Sequence, residues 1–291
     1  MLNRNRRYWP LSIKQAYYLM VTRGLAGRGL NDYAEFMALT YSSLERGLLP
    51  AKSIWQPVPE VRHGGAWENR DEFVRAEMGD LLWGYRRDLL QGQPRYVEVW
   101  LEKPELVDFF AGVTLDYCVS TVVCSDSVNL TFLDRLRRRL EDLPPGRTGV
   151  PGGRPEVVVL YFGDYIPTGP ERLTELQEAL RTTGNLWEVT LKRVALTRQQ
   201  VSRKELPGRV RMHAGDEVLH PGSPGVESEV VELEALTPRS LVGLLRKAIE
   251  DELDMKLFDN QIQIQKREQT ELNRLRADVL RQARHLLPED S

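Results

Sequence analysis

The chain has 291 residues, 41% of them hydrophobic, so it can bury a sizeable core and is long enough for two domains. Its formal charge of -2 means that any nucleic-acid binding must come from local basic patches. The basic start lacks the apolar stretch of a signal peptide, and no apolar run reaches membrane-spanning length, which predicts a soluble, cytoplasmic protein outside the membrane-protein classes. Cys118 and Cys124 match no disulfide framework or CxxC motif, and we interpret both as small buried side chains.

The first predicted helix lies in LSIKQAYYLMVTRG, with Ser12 as its cap and Gly24 as its stop. Helical spacing places four apolar residues on one buried stripe: Ile13, Tyr17, Met20 and Val21. Tyr18 is rotated off that stripe and lies beside Lys14 on the preceding turn.

A second helix is predicted in NDYAEFMALTYSSLERG, ending at Gly47, with one face formed by Tyr33, Phe36, Met37, Thr40 and Leu44. Two short helices followed by LLPAKSIW suggest a helix-turn-helix or winged-helix unit in residues 1–60. Residues 61–94 are predicted to form a linker, rich in Pro, Gly and charge, and a helix from about Asp71 to Leu90.

Residues 95–205 contain four Val-rich segments that predict strands: YVEVWLEK, VSTVVCSD, EVVVLYFGD and LWEVTLKRVAL. Helical segments separate them, which predicts an α/β fold with a mostly parallel sheet. The segment LPPGRTGVPGGRP reads as a surface loop. Residues 206–291 are predicted to hold a short strand, SEVVELEAL, and a long polar helix from Pro238 to about Leu286.

Two acids follow strands of this predicted sheet. Glu102 ends the first strand and Asp164 ends the third. In a doubly wound sheet of order 2-1-3-4 these strands are neighbours, and ligands bind at their carboxyl ends. Close carboxylates repel each other unless a cation lies between them, and hard oxygen ligands suit Mg²⁺. The sequence therefore predicts a candidate Mg²⁺ site at this edge.

Two other interpretations of these acids are open. Asp164 can cap a helix that begins near Thr168, and Glu102 can cap one that begins at Pro104. Alternatively, Asp164, Ile166 and Thr168 fall in the frame of a DxDxT phosphatase, although its second aspartate and later acidic pair are missing.

Three segments together resemble a known family: YVEVWLEKPEL, LYFGDYIPTG and VELEALTPRSLVGLLRKAIED. They are similar to the TOPRIM proteins of phages and mobile elements related to the topoisomerase VI A subunit and the meiotic double-strand-break transesterase. The usual forms there are EVWxEKxxL, YFGDxDPSG and VELDAxPP. LSIKQAYYLMVTRGL with ERGLLP resembles that family's winged helix and its RQxxY pattern. The resemblance, over about residues 11–260, implies a winged-helix domain, a Rossmann-like TOPRIM domain and a C-terminal helix.

The resemblance also implies roles for single residues. It makes Glu102 and Asp164 ligands of Mg²⁺ or Mn²⁺, but the second aspartate of DxD falls on Ile166, which cannot bind a metal. Tyr18 matches the tyrosine that attacks the DNA phosphodiester in the topoisomerase branch, and Lys14 replaces the arginine of RQxxY. The possible accessory residues are Lys103, which follows the glutamate in the EK motif, and two nearby acids, Asp126 and Glu171.

Two basic clusters are candidate phosphate contacts. The first comprises Arg4, Arg6 and Arg7. The second, on a predicted helix, comprises Arg135, Arg138 and Arg139 on one face and Arg137 off it. Either cluster can also be an ordinary solvated surface.

Two functions are open at this point. The preferred one is a Mg²⁺-dependent DNA-cleaving enzyme in which Tyr18 or water attacks the phosphodiester, and the retained Glu102, Asp164 and Tyr18 favour it. The other is a DNA-binding protein that keeps the fold without the chemistry, and Ile166 favours that one. We expect double-stranded DNA as the ligand and a homodimer, because the tyrosine and the acids fall on separate predicted domains. The sequence has no P-loop, so any ATP dependence requires an ATPase partner subunit.

Overall fold

A computed structural model describes the protein in nine stretches of the chain. They are residues 2–57, 66–124, 130–142, 156–166, 172–182, 189–204, 206, 209–210 and 229–283. The predicted surface loop, the start of the predicted linker, and the accessory candidates Asp126 and Glu171 lie outside these ranges.

One four-stranded parallel sheet forms the centre of the fold, in the order β2-β1-β3-β4. Its strands are β1 (Arg95–Leu101), β2 (Ser120–Val123), β3 (Glu156–Phe162) and β4 (Val189–Ala195). The prediction of a parallel sheet in an α/β fold, with strands one and three adjacent, is confirmed. Leu101 lies opposite Phe162 at the end of the β1–β3 register, so the segments that follow these strands begin side by side.

The sheet is buried on both faces, as is usual for parallel strands that carry helices on each side. Along β1, Val97 and Val99 face one core, whereas Tyr96 and Trp100 face the other. This alternation follows from the two-residue period of a strand. The near-continuous apolar sequence of β1 and β3 is therefore explained by two cores, one on each side.

Helices cover both faces of the sheet. They are α1 (Ile13–Val21), α2 (Leu30–Glu45), α3 (Arg70–Asp80), α4 (Val107–Thr114), α5 (Leu130–Glu141), α6 (Arg172–Thr182), α7 (Arg198–Lys204), α8 (Pro238–Glu250) and α9 (Met255–Gln282). The core on one face includes residues of α1, α4, α8 and α9, and the core on the other includes residues of α5 and α6. No helix in the described ranges is long and apolar enough to cross a membrane.

The first helix begins as the sequence predicts. The Ser12 hydroxyl accepts a hydrogen bond from the Gln15 N–H (3.1 Å), and the Gln15 side chain accepts one from the Ser12 N–H (3.0 Å). This reciprocal capping box fixes the start of α1. The chain turns after α1 at Gly24 and after α2 at Gly47, where φ is +66° and +68°, values that glycine adopts readily.

Tyr18, which helical spacing places off the predicted stripe, is buried all the same. Tyr17 and Tyr18 are both buried, at 2% and 3% exposure. Helix α1 packs against α2 and also against a 3-10 turn at Leu233–Ala235, so it buries two sides rather than one. The periodicity of a single helix could not reveal the second neighbour, because that turn lies more than 200 residues away in the chain.

Three predicted elements have different limits in the structure. The helix expected to continue to Leu90 ends with α3 at Asp80, and the chain then turns through positive φ at Leu82 (+57°). The single C-terminal helix is two helices, because the carboxylate of Asp254 caps a new start at Met255. The predicted strand SEVVELEAL is reduced to β6 (Glu229–Val230), which pairs with β5 (Arg209–Val210), and the Leu233–Ala235 turn.

A buried ion pair joins α5 to the centre of the sheet. Glu98 on β1 is fully buried and accepts hydrogen bonds from Nε and Nη2 of Arg139, at 2.7 and 3.0 Å. The Tyr96 hydroxyl and the Trp100 indole N–H donate to the same carboxylate. Arg139 is therefore engaged inside the fold, which differs from the phosphate contact that the sequence predicted for it.

We predict that Arg139→Gln lowers the free energy of unfolding by about 3 to 5 kcal/mol, because it leaves the buried Glu98 carboxylate without its counter-charge. Urea unfolding at pH 7 measures the effect. The matched control is Arg135→Gln, an exposed position on the same helix, where we expect a change within about 0.5 kcal/mol. Equal stability of the two variants would contradict the structural role of Arg139.

Candidate functional site

Glu102 and Asp164 meet at the carboxyl edge of the sheet, as the strand order predicts. Oε2 of Glu102 accepts a hydrogen bond from the Asp164 N–H (3.0 Å) and another from the Tyr161 hydroxyl (3.1 Å). Gly163 lies between these groups, and a Cβ there would overlap the Glu102 carboxylate and the Tyr161 hydroxyl. The glycine that ends this apolar strand is therefore required by the neighbouring carboxylate.

The Asp164 carboxylate is held by two groups from other parts of the chain. Its Oδ2 forms an ion pair with Lys103 Nζ at 2.7 Å, and its Oδ1 accepts the Leu233 N–H at 2.9 Å. The capping interpretation of Glu102 is wrong, because Lys103 occupies the N-cap of the 3-10 turn Pro104–Leu106 and no side chain caps it. Both acids thus bind groups of neighbouring segments.

Two further acids complete the cluster, and sequence reasoning did not assign them to the site. Glu232 accepts hydrogen bonds from Lys14 Nζ at 2.7 Å and from the Tyr18 hydroxyl at 2.8 Å. Glu234 is 1% exposed, and neither of its carboxylate oxygens accepts a hydrogen bond from any described residue. The sequence feature that could have indicated these two acids is the VELEA segment, in which they alternate with apolar residues.

Tyr18 therefore faces an acid of its own chain. Its hydroxyl donates to Glu232, and its ring packs against Tyr17 with the centroids 5.5 Å apart. The sequence places the tyrosine and the acids on separate predicted domains, whereas in the structure the buried Tyr18 hydroxyl binds an acid of the same chain. The original reason for expecting a homodimer is removed, because α1 packs directly against the acidic cluster.

The charges of the cluster depend on one another. Burial raises the pKa of Asp164, although the ion pair with Lys103 opposes that rise. Burial also raises the pKa of Glu234, to about 7. For Lys103 burial opposes the charged form, but the carboxylates of Glu234 and Asp164 raise its pKa overall. Burial likewise opposes the charged form of Lys14, but the carboxylates of Glu234 and Glu232 raise its pKa overall.

The arrangement does not match a Mg²⁺ or Mn²⁺ site. Among the described residues, no three His, Cys, Asp or Glu side chains are placed to hold a metal ion together. Mg²⁺ requires octahedral oxygen coordination. Here the lysine ammonium of Lys103 lies on Asp164, and Ile166 occupies the position where the family pattern has its second aspartate. The cation at this edge is a side chain of the protein itself.

The arginine candidates lie apart from this cluster. The first group is exposed on the 3-10 helix Leu2–Tyr8, and its members are Arg4, Arg6 and Arg7. On α5, Arg135, Arg137 and Arg138 are exposed. Arg137 and Arg138 pair with acids on the same helix, including Asp134. The N-terminal group is thus the better placed for phosphate contacts.

Comparisons of the chain with models of protein families, with curated proteins and with solved structures found no match.

We predict that Glu234→Gln changes the pH dependence of stability. Since the pKa of Glu234 is about 7 in the folded protein and about 4.3 when unfolded, the folded state keeps a proton that the unfolded state releases between these values. Stability of the parent therefore falls as pH rises through this window. We expect the variant to gain roughly 3 kcal/mol relative to the parent between pH 4 and pH 8.

Urea unfolding at several pH values measures this difference, with Glu175→Gln on the exposed surface of α6 as the matched control. A parent and a Glu234→Gln variant with parallel pH profiles would contradict a raised pKa at this position.

Proposed function

We propose that this chain is a DNA-binding protein with a TOPRIM-like sheet and an N-terminal winged-helix unit, in which the carboxyl-edge acids have a structural role. The observation that carries this proposal is Ile166 at the family's second acidic position, next to an Asp164 carboxylate that Lys103 Nζ already pairs with at 2.7 Å. The site therefore has one carboxylate fewer than the family pattern, and Asp164 already has a counter-charge within the chain. The chain then acts by binding DNA or by assembling a complex on it.

The positions of the three family-like segments support the TOPRIM-like part of the proposal. Glu102 and Lys103 of the first segment, Asp164 of the second and Glu234 of the third lie at one edge of the sheet. The first two meet because β1 and β3 are adjacent parallel strands, and the third joins them through the contact of the Leu233 N–H with Asp164.

The contacts of α1 support a structural role for the acids. Lys14 and Tyr18 both bind Glu232, which precedes the 3-10 turn at Leu233–Ala235. The Asp164 carboxylate accepts the N–H of Leu233 in the same turn. The acidic cluster thus holds the N-terminal helices in a fixed position against the sheet. A DNA-binding unit attached in this way presents its basic surface in one orientation.

Mg²⁺-dependent strand cleavage is the second candidate function, and Glu234 is the observation in its favour. A buried carboxylate without a hydrogen-bond partner is rare in native proteins and often marks a functional site. Tyr18 does not support this candidate, because its hydroxyl is buried and bound to Glu232. A homodimer and an ATPase partner subunit stay predictions from the sequence.

We predict that the protein binds duplex DNA in the presence of EDTA, and that affinity falls with salt. The double variant Arg4→Gln/Arg6→Gln should lower the slope of log K against log [salt] by about two, because each lost phosphate contact removes about one. The matched control is Arg198→Gln/Arg203→Gln, two exposed positions on α7, with an unchanged slope. Fluorescence anisotropy with a labelled duplex measures both.

Failure of the parent to bind duplex DNA would contradict the proposal. A plasmid-nicking assay with Mg²⁺ or Mn²⁺ then separates the two candidates. Cleavage by the parent that is lost in Glu102→Gln and in Glu234→Gln would establish the enzyme, whereas binding without cleavage supports the non-enzymatic function.

A further inference from the structure

A cleft of about 500 Å³ lies between the N-terminal 3-10 helix, α4 and α8. Three arginines line it, namely Arg7, Arg239 and Arg246, against one acid, Asp108. We propose that this cleft binds a nucleotide, with the phosphate on the arginines and the base on the aromatic side chains of the N-terminal segment. Its volume is in the range of pockets that hold small ligands.

The arginines offer a phosphate several donors. Arg239 is exposed in the first turn of α8 and makes no ion pair with a described residue. The positive end of the 13-residue helix dipole adds to its charge. Arg246 pairs with Asp116 at 3.2 Å, but both side chains are substantially exposed, and such pairs are weak. A bound phosphate can therefore compete for Arg246.

The aromatic wall supplies a surface for a base. Tyr8 and Trp9 both line the cleft and are partly exposed. The Arg7 guanidinium lies 4.6 Å from the centroid of the Tyr8 ring. The indole Nε1 of Trp9 is buried and has no hydrogen-bond partner among the described residues. Aromatic rings beside arginines stack with bases of any sequence.

Two glycines leave room for such a ligand. Gly112 on α4 and Gly243 on α8 both line the cleft. A Cβ at either position would meet no atom within 4 Å, so close packing of the helices does not require glycine there. Glycine in the middle of a helix makes that helix less stable than alanine would. The space left by the missing side chains is available to a ligand.

This proposal goes beyond duplex binding, since a nucleotide fits the cleft whether it is free or forms the end of a strand. The duplex test above uses Arg4 and Arg6, which do not line the cleft. Loss of nucleotide binding and loss of duplex binding can therefore be told apart with separate variants.

Isothermal titration of the full chain with ADP, and with a trinucleotide carrying either a 5′-phosphate or a 5′-hydroxyl, tests the proposal. Tighter binding of the phosphorylated trinucleotide than of ADP identifies a strand end as the ligand, and the reverse order identifies a free nucleotide. Either order supports the cleft as a nucleotide site. Absence of binding by ADP and by both trinucleotides would overturn it, and so would inorganic phosphate that binds as tightly as ADP.

Gly243→Leu fills the cleft, and we expect it to weaken binding at least about tenfold without loss of fold or of duplex binding. Its control is Gly79→Leu, an exposed glycine on α3 whose Cβ also meets no atom. Arg239→Gln should weaken binding by about tenfold as well, through loss of a charged hydrogen bond, with Arg203→Gln as its control. Parental affinity in both Gly243→Leu and Arg239→Gln would place the ligand elsewhere and overturn the assignment.

Discussion

The ion pair between Lys103 and Asp164 is the interaction on which the centre of this protein depends. Four carboxylates, those of Glu102, Asp164, Glu232 and Glu234, lie near one edge of the sheet, largely removed from water. Burial of several like charges is unfavourable unless counter-charges or protons neutralise them. Lys103 and Lys14 supply the positive charge, and the raised pKa of Glu234 shows that burial favours its protonated form.

The same interaction connects parts of the chain that are far apart. Asp164 binds Lys103 through one oxygen and the backbone of Leu233 through the other. The turn that begins at Leu233 then lies against α1, where Glu232 receives the Tyr18 hydroxyl. Contacts thus run from Lys103 through Asp164 and the Leu233–Ala235 turn to the N-terminal helix α1. We interpret the cluster as the element that orients the basic N-terminal segment relative to the sheet.

Much of this edge could be predicted from the sequence. Four Val-rich segments separated by helical ones predict a parallel sheet, and parallel strands bring their carboxyl ends together. The predicted adjacency of β1 and β3 therefore indicated that Glu102 lies beside Asp164. Ser12, followed by Gln15, likewise indicated the start of α1 from local hydrogen-bonding chemistry alone.

What could not be predicted depends on contacts between distant segments. Glu234 and Asp164 are 70 residues apart, and no periodic pattern relates them. Tyr18 lies off the apolar stripe of α1 and is buried because a second surface covers it. Arg139 is one of several arginines on α5, and its pairing with Glu98 depends on how that helix packs on the sheet. Charge patterns show which residues are ionic, but only tertiary packing decides their partners.

Anomalous diffraction from crystals of the parent protein soaked in MnCl₂ tests the central claim most directly. If Lys103 is the counter-ion of Asp164 in the working protein, no Mn²⁺ peak will lie between Glu102 and Asp164, and Lys103 will remain paired with Asp164. A Mn²⁺ peak bound by these two carboxylates or by Glu234, with Lys103 displaced, would contradict the claim and favour a metal-dependent enzyme.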